Sequence, residues 1–357
     1  MPDNLHLYHK ILHQICQWLP QERITRLRNL ALFMTGLYLG GTVHLSLIVR
    51  KWLLPGRLPS LVNRLHRFLD NPQVLVQAWY RPLAQHLLAA LAGQPLYLVI
   101  DCTQVGFHHR LLMVGVTYRK RVLPLAWSVH RGVKGHVTAQ EQITLLQSVQ
   151  ELLPRGCEVW LLGDSGFQAV PLLRWLRRQG WHFVIRQSGQ RQVRWQGGGW
   201  IKLGHLPLSP GEHRVICWVR LTAGHDFGWV WLVLHWQQGE KEPWYLVSDQ
   251  PDSRQMLRLY RKRMWTEETY GDLKGHGFDL EHTHLCHGER ISRLLLGVCL
   301  VYVWLLILGS WVVKRGYRSQ IDRKSRRDKS YFRLGWDWLE HCFRLGKDVQ
   351  LRFSPYP

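Results

Sequence analysis

The 357-residue chain carries 47 lysines and arginines against 25 aspartates and glutamates, a net charge of +22 with histidine neutral, and 46% of it is hydrophobic. That length suits two domains or one domain with a large insertion, and the apolar content is ample for a packed core. The charge excess favours a polyanionic partner, nucleic acid first and an anionic membrane second. Seven cysteines, an odd number without a CxxC pair, exclude a disulfide framework and read as free thiols in a reducing cytoplasm.

Residues 5–92 predict helices joined by short breaks: Leu5–Leu19, Gln21–Tyr38, Thr42–Leu53 closed by Pro55-Gly56, Ser60–Leu69 with Ser60 as N-cap after Pro59, and Pro72–Leu91. The fourth carries Arg64, His66 and Arg67 beside Leu61, Leu65 and Phe68. The pair around Pro55-Gly56 reads either as a helix-turn-helix-like DNA reader or as helical packing with solvated arginines. The start, Met1-Pro2-Asp3-Asn4, lacks a basic segment followed by an apolar run, so no signal peptide is expected.

At residue 93 the pattern changes. Strands are predicted at Leu96–Asp101, Leu111–Tyr118 and Val122–His130, with the basic turn Arg119-Lys120-Arg121 joining the last two. Helix Thr138–Leu153, strand Val159–Leu162, helix Pro171–Gln179 and strand His182–Ile185 follow. By pattern alone this is α/β. Asp101 closes the first strand run, and Asp164 follows Val159-Trp160-Leu161-Leu162-Gly163. Residues 187–250 read as an all-β insertion, with turns at Gly197-Gly198-Gly199, 224–228 and 239–243 and strands Arg214–Leu221, Trp229–Trp236 and Trp244–Ser248.

The stretch Tyr260–Lys274 reads as one helix. Tyr260, Arg263, Glu267 and Lys274 then share a sector of about 60° over roughly 21 Å of axis. Gly271 weakens that helix near its end. The face is either a charged, solvated surface or a carboxylate flanked by an aromatic hydroxyl and two cations, suited to a metal beside a gripped phosphate backbone. Two strand-end carboxylates and one helix carboxylate offer hard oxygen ligands for Mg²⁺ or Mn²⁺. His282, His284, Cys286 and His287 suit no standard zinc spacing. Leu294–Val313 is twenty residues without a charge; by length it spans a bilayer or serves as a core helix. The run Lys314–Lys329 holds eight Lys or Arg and reads as a phosphate-binding tail or a solvated linker, and Tyr331–Leu345 as a final helix.

Tyr260, Arg263, Glu267 and Lys274, at gaps of two, three and six residues, match the Y-R-E-K signature of one branch of bacterial insertion-sequence DDE transposases, the insertion-sequence-four type. Ile100-Asp101-Cys102-Thr103 and Gly163-Asp164-Ser165-Gly166-Phe167 resemble the two aspartate blocks of that branch, and the resemblance runs from about residue 25 to the C-terminus. One departure is Ser165, where the branch commonly has Arg.

The resemblance implies a ribonuclease H-like mixed-sheet core (93–186 and 251–313) interrupted by the 187–250 insertion, with a helical N-terminal domain (1–92) that recognises element ends and a basic tail (314–357). It implies that Asp101, Asp164 and Glu267 hold two Mg²⁺ or Mn²⁺ ions. Tyr260, Arg263 and Lys274 would hold phosphates, and Trp244 would stack on a base flipped from the element end. Implied partners are the double-stranded DNA of terminal inverted repeats and target, and a second copy in a homodimer, without a membrane. The expected place is the bacterial cytoplasm, on the nucleoid. Expected chemistry is cut-and-paste joining through a DNA hairpin. Rival readings are a DNA-binding protein without catalysis, whose mark would be a lost carboxylate, a membrane-anchored basic protein, and a structure-specific nuclease of the same fold.

Overall fold

The structure is a computed structural model describing residues 3–132, 137–325 and 327–356, apart from the side chains of Asp3 and Cys217. The Met1-Pro2 start, the Cys217 thiol and Arg326 of the basic run lie outside the described residues.

Five helices open the chain: α1 (Asp3–Trp18), α2 (Ile24–Gly40), α3 (Leu45–Val49), α4 (Leu58–Asp70) and α5 (Val76–Leu91). Ser60 was expected to cap the fourth. Instead Arg57 holds the N-cap position and Pro59 sits in the first turn, where its fixed φ suits helix entry and its missing N–H costs nothing. The third helix is five residues long rather than twelve, because Arg50 to Arg57 leave the helix before Leu58. A short helix and a connection of that length do not form the tight turn of a helix-turn-helix.

Next come β1 (Leu96–Val105), β2 (His109–Tyr118), β3 (Arg121–Arg131), α6 (Ala139–Gln150), β4 (Val159–Gly163), α7 (Val170–Arg178) and β5 (His182–Gln187). This reproduces the expected order of three strands, helix, strand, helix, strand. Arg119 and Lys120 adopt φ of 47° and 61°, the left-handed pair that closes a two-residue hairpin between β2 and β3. Thr138 caps α6 in a box with Glu141: the Glu141 N–H donates to the threonine hydroxyl, and the Thr138 N–H donates to the Glu141 carboxylate at 2.8 Å.

The chain then forms β6 (Gln192–Arg194), β7 (Ile201–Lys202), β8 (His213–Leu221), β9 (Gly228–His235) and β10 (Trp244–Ser248). These strands are inserted in the sequence but not in the sheet. β10 pairs antiparallel with β5, Val247 opposite Ile185, and a single sheet runs β3-β2-β1-β4-β5-β10-β9-β8-β6-β7. β5 would otherwise be an open edge, and β10 covers it.

The first strand runs past Asp101 to Val105, so that aspartate is not at its end. What ends there is the parallel pairing of β1 with β4, Leu96 opposite Val159 through Val99 opposite Leu162. Carried two residues further, the same register sets Asp101 beside Asp164. Alternation fixes their direction: Val99 and Leu162 face Met256, Leu259 and Tyr260 of α8 (Ser253–Arg263), and Asp101 and Asp164 lie on that face too. The opposite face, with Leu98, Ile100, Leu161 and Ile185, joins the main core.

After α8 come α9 (Trp265–Leu273), α10 (Gly288–Lys314) and α11 (Tyr331–Arg344). Among the described residues α10 is the one helix long and apolar enough to cross a membrane, and 94% of its most apolar window is buried inside the protein. α2, α4, α5, β3 and α11 surround it. Arg293 of α10 is 7% exposed and donates to the carbonyls of Leu69 and Val74, tying α10 to the end of α4. The main core therefore extends from Leu7 to Phe353 and takes in the N-terminal helices.

Candidate active site

Tyr260 to Lys274 do not form the single expected helix. α8 ends at Arg263, the chain tightens at Met264, and α9 ends at Leu273. The Glu267 N–H reaches back to the Met264 carbonyl at 3.1 Å, a contact one residue shorter than the helical repeat. Lys274 lies beyond α9 with φ −95° and ψ −126°, as the chain enters Gly275-His276-Gly277. It leaves the common face, and its ammonium instead donates to the Thr103 hydroxyl of β1 at 3.0 Å and pairs with Glu281 at 2.8 Å.

Arg263 is the hub of the site. Its Nη2 lies 3.3 Å from both Asp101 oxygens and 3.3 Å from Asp164 Oδ2, and its Nη1 donates to Glu267 Oε1 at 2.5 Å. Three carboxylates from β1, from the turn after β4 and from α9 thus converge on one guanidinium. Asp101 is 5% exposed, Asp164 is half-buried and Glu267 is open to solvent. Burial pushes the Asp101 carboxyl up to about 6, against the pull of Arg263 and with a further push from Asp164. Burial opposes the charge of Arg263, yet Asp101 and Asp164 hold it above the ordinary arginine value.

Neighbouring bonds fix these groups. The Cys102 N–H donates to Asp101 Oδ1 at 2.8 Å, and the Gly166 N–H donates to Asp164 Oδ1 at 2.8 Å. Ser165 begins the short helical turn that this second bond caps. α9 is anchored by a buried pair absent from the sequence reading, Arg121 Nε to Asp272 Oδ2 at 2.6 Å. The Val122 N–H also donates to the Thr269 hydroxyl, and the Tyr270 hydroxyl donates to the Asp101 carbonyl. Glu268, next to Glu267, points away toward Arg121 at 3.4 Å.

Tyr260 is 1% exposed, its phenol raised by burial with Arg263 pulling the other way. Trp244 packs edge-on against it, centroids 4.9 Å apart at 69°, and is half-buried. His282 pairs with Asp279, and the His284 ring lies 5.5 Å from that of His44.

As they stand, no three His, Cys, Asp or Glu side chains among the described residues are grouped closely enough to hold one ion. The donor set nonetheless suits a hard divalent cation: three carboxylates and a cation already at their focus, the guanidinium. Arg263→Ala tests this. Without divalent ions the variant is expected to melt well below the parent, since breaking a buried pair such as Arg263–Asp101 costs ~3 kcal/mol. Exposed Glu267 adds little. Mg²⁺ or Mn²⁺ should then raise its melting temperature more than it raises the parent's. Equal shifts would mean that the carboxylates do not take a cation in place of the guanidinium.

The family model described as Transposase DDE domain matches residues 107–304, more than half of the chain. The match begins after Asp101 and includes Asp164 and Glu267. The chain belongs to this family of DDE transposases, and the match supports DNA transposition as its activity. Among solved structures, the piggyBac transposase in a synaptic complex with hairpin DNA is similar at TM-score 0.45 and 12% identity, covering 99% of this chain and 83% of that one. No curated protein matches the chain.

Proposed function

We propose that the protein is a cut-and-paste transposase of the Y-R-E-K branch, built on a ribonuclease H-like core, that cuts and joins DNA at the inverted repeats ending its own element. The observation that carries this reading is the convergence of Asp101, Asp164 and Glu267 on one cation. Those three residues would hold two Mg²⁺ or Mn²⁺ ions. Bound there, the ions would neutralise the scissile phosphate and lower the pKa of the attacking water or 3′-hydroxyl.

The remaining work falls to the chain's own residues. Arg263, released from the carboxylates, is the cation placed to take a phosphate oxygen beside the scissile bond. Lys274 holds Thr103, two residues past Asp101, and sets a second positive charge at that end of β1. Tyr260 supports Trp244 from beneath. The +22 charge supplies the general attraction to DNA, in the bacterial cytoplasm and without a membrane, and a homodimer would bring two element ends together. The helices before residue 92 would contribute to end recognition.

The test joins labelled element ends, defined by sequencing the DNA flanking the gene, to a recipient plasmid with Mg²⁺. Strand-transfer products support the reading. Hydrolysis alone would leave a structure-specific nuclease, and binding alone a protein without catalysis. Trp244 makes a finer prediction. Trp244→Ala should nick the 3′ strand at a near-normal rate but accumulate nicked ends without hairpins, because base stacking worth roughly 1–3 kcal/mol matters only where the duplex bends tightly. A time course of nick, hairpin and double-strand break, beside a melting curve, checks it. Normal hairpins from a folded variant would remove Trp244 from this role.

A further inference from the structure

Among the described residues, three tryptophans are exposed: Trp195 at 38%, Trp218 at 53% and Trp229 at 38%. All lie in the 187–250 segment. Trp218 and Trp229 belong to one cluster, with ring centroids 6.3 Å apart, and Trp218 also lies 5.4 Å from half-buried Trp231. The backbone is bent to present Trp218. The register of β8 against β9 slips between Ile216 and Val219, and Trp218 there takes φ 50°, unusual for a bulky side chain. A core tryptophan gains nothing from such a position, because its largest surface is left in water.

The patch has a cationic rim. Arg220, paired with Asp226, lies over the Trp229 ring, its guanidinium carbon 5.8 Å from the centroid. On α8, Arg254, Arg258 and Arg261 are exposed at spacings of four and three, hence on one face. Burial, His213 and Arg261 together lower the pKa of His235, four residues along β9 from Trp231, so Arg261 stands toward the active-site end of the strand. Trp231 and Trp244 both pack on the cluster beneath α8, so the aromatic surface runs from the active site outward along the sheet.

Flat rings with arginines beside them match a polyanion whose π-faces are uncovered. Duplex DNA keeps those faces stacked inside, whereas an unpaired strand offers them. We propose that Trp218, Trp229 and Trp231 form a stacking platform for unpaired DNA bases, with Arg220 beside the backbone. This rests on the transposase reading and adds to it a site for a single strand freed during the reaction.

The test is anisotropy of labelled oligo(dT) and of a blunt duplex, without divalent ions, so that strand affinity and cleavage are read separately. Trp218→Ala and Trp229→Ala should each weaken oligo(dT) binding about ten-fold and leave duplex binding within about two-fold. Trp218→Tyr should keep most of the affinity, and Trp195→Ala, outside the cluster, should keep all of it. Both alanine sites are exposed, so melting should hold. Unchanged oligo(dT) affinity in a folded double variant would overturn the platform, and so would an equal loss on duplex. A parent that self-associates, with a double variant that dissociates at unchanged oligo(dT) affinity, would make the patch a contact between copies instead.

Discussion

Asp101→Asn, Asp164→Asn and Glu267→Gln should each reduce divalent-dependent cleavage by about 10³-fold or more, corresponding to ~4 kcal/mol of lost transition-state stabilisation, with end binding largely intact. The expectation follows from geometry. Each amide keeps the shape of the side chain but removes one of the negative charges that meet at Arg263. Glu268→Gln is the internal control, since Glu268 is exposed and turned toward Arg121. It should cleave normally. A near-native nicking rate from any of the three amide variants would remove that residue from the set. Loss of DNA binding together with cleavage would point to damage beyond the charge.

The second large effect concerns stability. α10 and α11 cross at Gly309 and Gly335. A Cβ on Gly309 would lie 1.8 Å from the Tyr331 carbonyl oxygen, and one on Gly335 would lie 1.9 Å from that of Leu305. Neither clash meets a side chain that could rotate away, so the helices themselves must separate. Gly335→Ala should therefore cost at or above the top of the ~1–3 kcal/mol range for an overpacked core. Gly309→Ala should cost a similar amount. The double variant should fall short of their sum, because one displacement of α11 relieves both clashes. Gly199→Ala, with nothing within 4 Å, should shift melting little. If Gly335→Ala melts with the parent, the close crossing is absent in solution.

The sequence made some of this legible and hid the rest for identifiable reasons. Asp101 and Asp164 stand out because each follows an apolar run that only a buried strand explains, and adjacency in the sheet then brings them together. Arg263 and Glu267 are four apart, so their own contact was visible. The reach of Arg263 to both aspartates was not, because it crosses from α8 to β1 and to the turn after β4. Arg-Lys-Arg-Met-Trp has nothing that breaks a helix, so the tightening at Met264 leaves no local mark. Likewise, the junction of β10 with β5 is a pairing across some sixty residues, and strand periodicity says nothing about distant partners. Nothing in the run Arg214–Leu221 marks Trp218 as different from its neighbours, and only the register slip beside it turns it outward. In α10 the length of the apolar run alone allows a membrane span, and its neighbours, spread over the whole chain, are what cover it.

The continuity of the sheet makes it a ruler. Between β4, which delivers Asp164, and β9, which carries Trp229 and Trp231, lie three strand spacings, about 14 Å at ~4.8 Å each. The register also sets Trp231 two and Trp229 four residues along β9 from the point level with Asp164, so the whole span is the rise of about five to six stacked bases at 3.4 Å. Ladder hydrogen bonds hold every one of these strands to the next, so the insertion cannot swing as a unit on its linkers. The nucleotide count between a cut phosphate and a base resting on the tryptophans is then a fixed property of the fold.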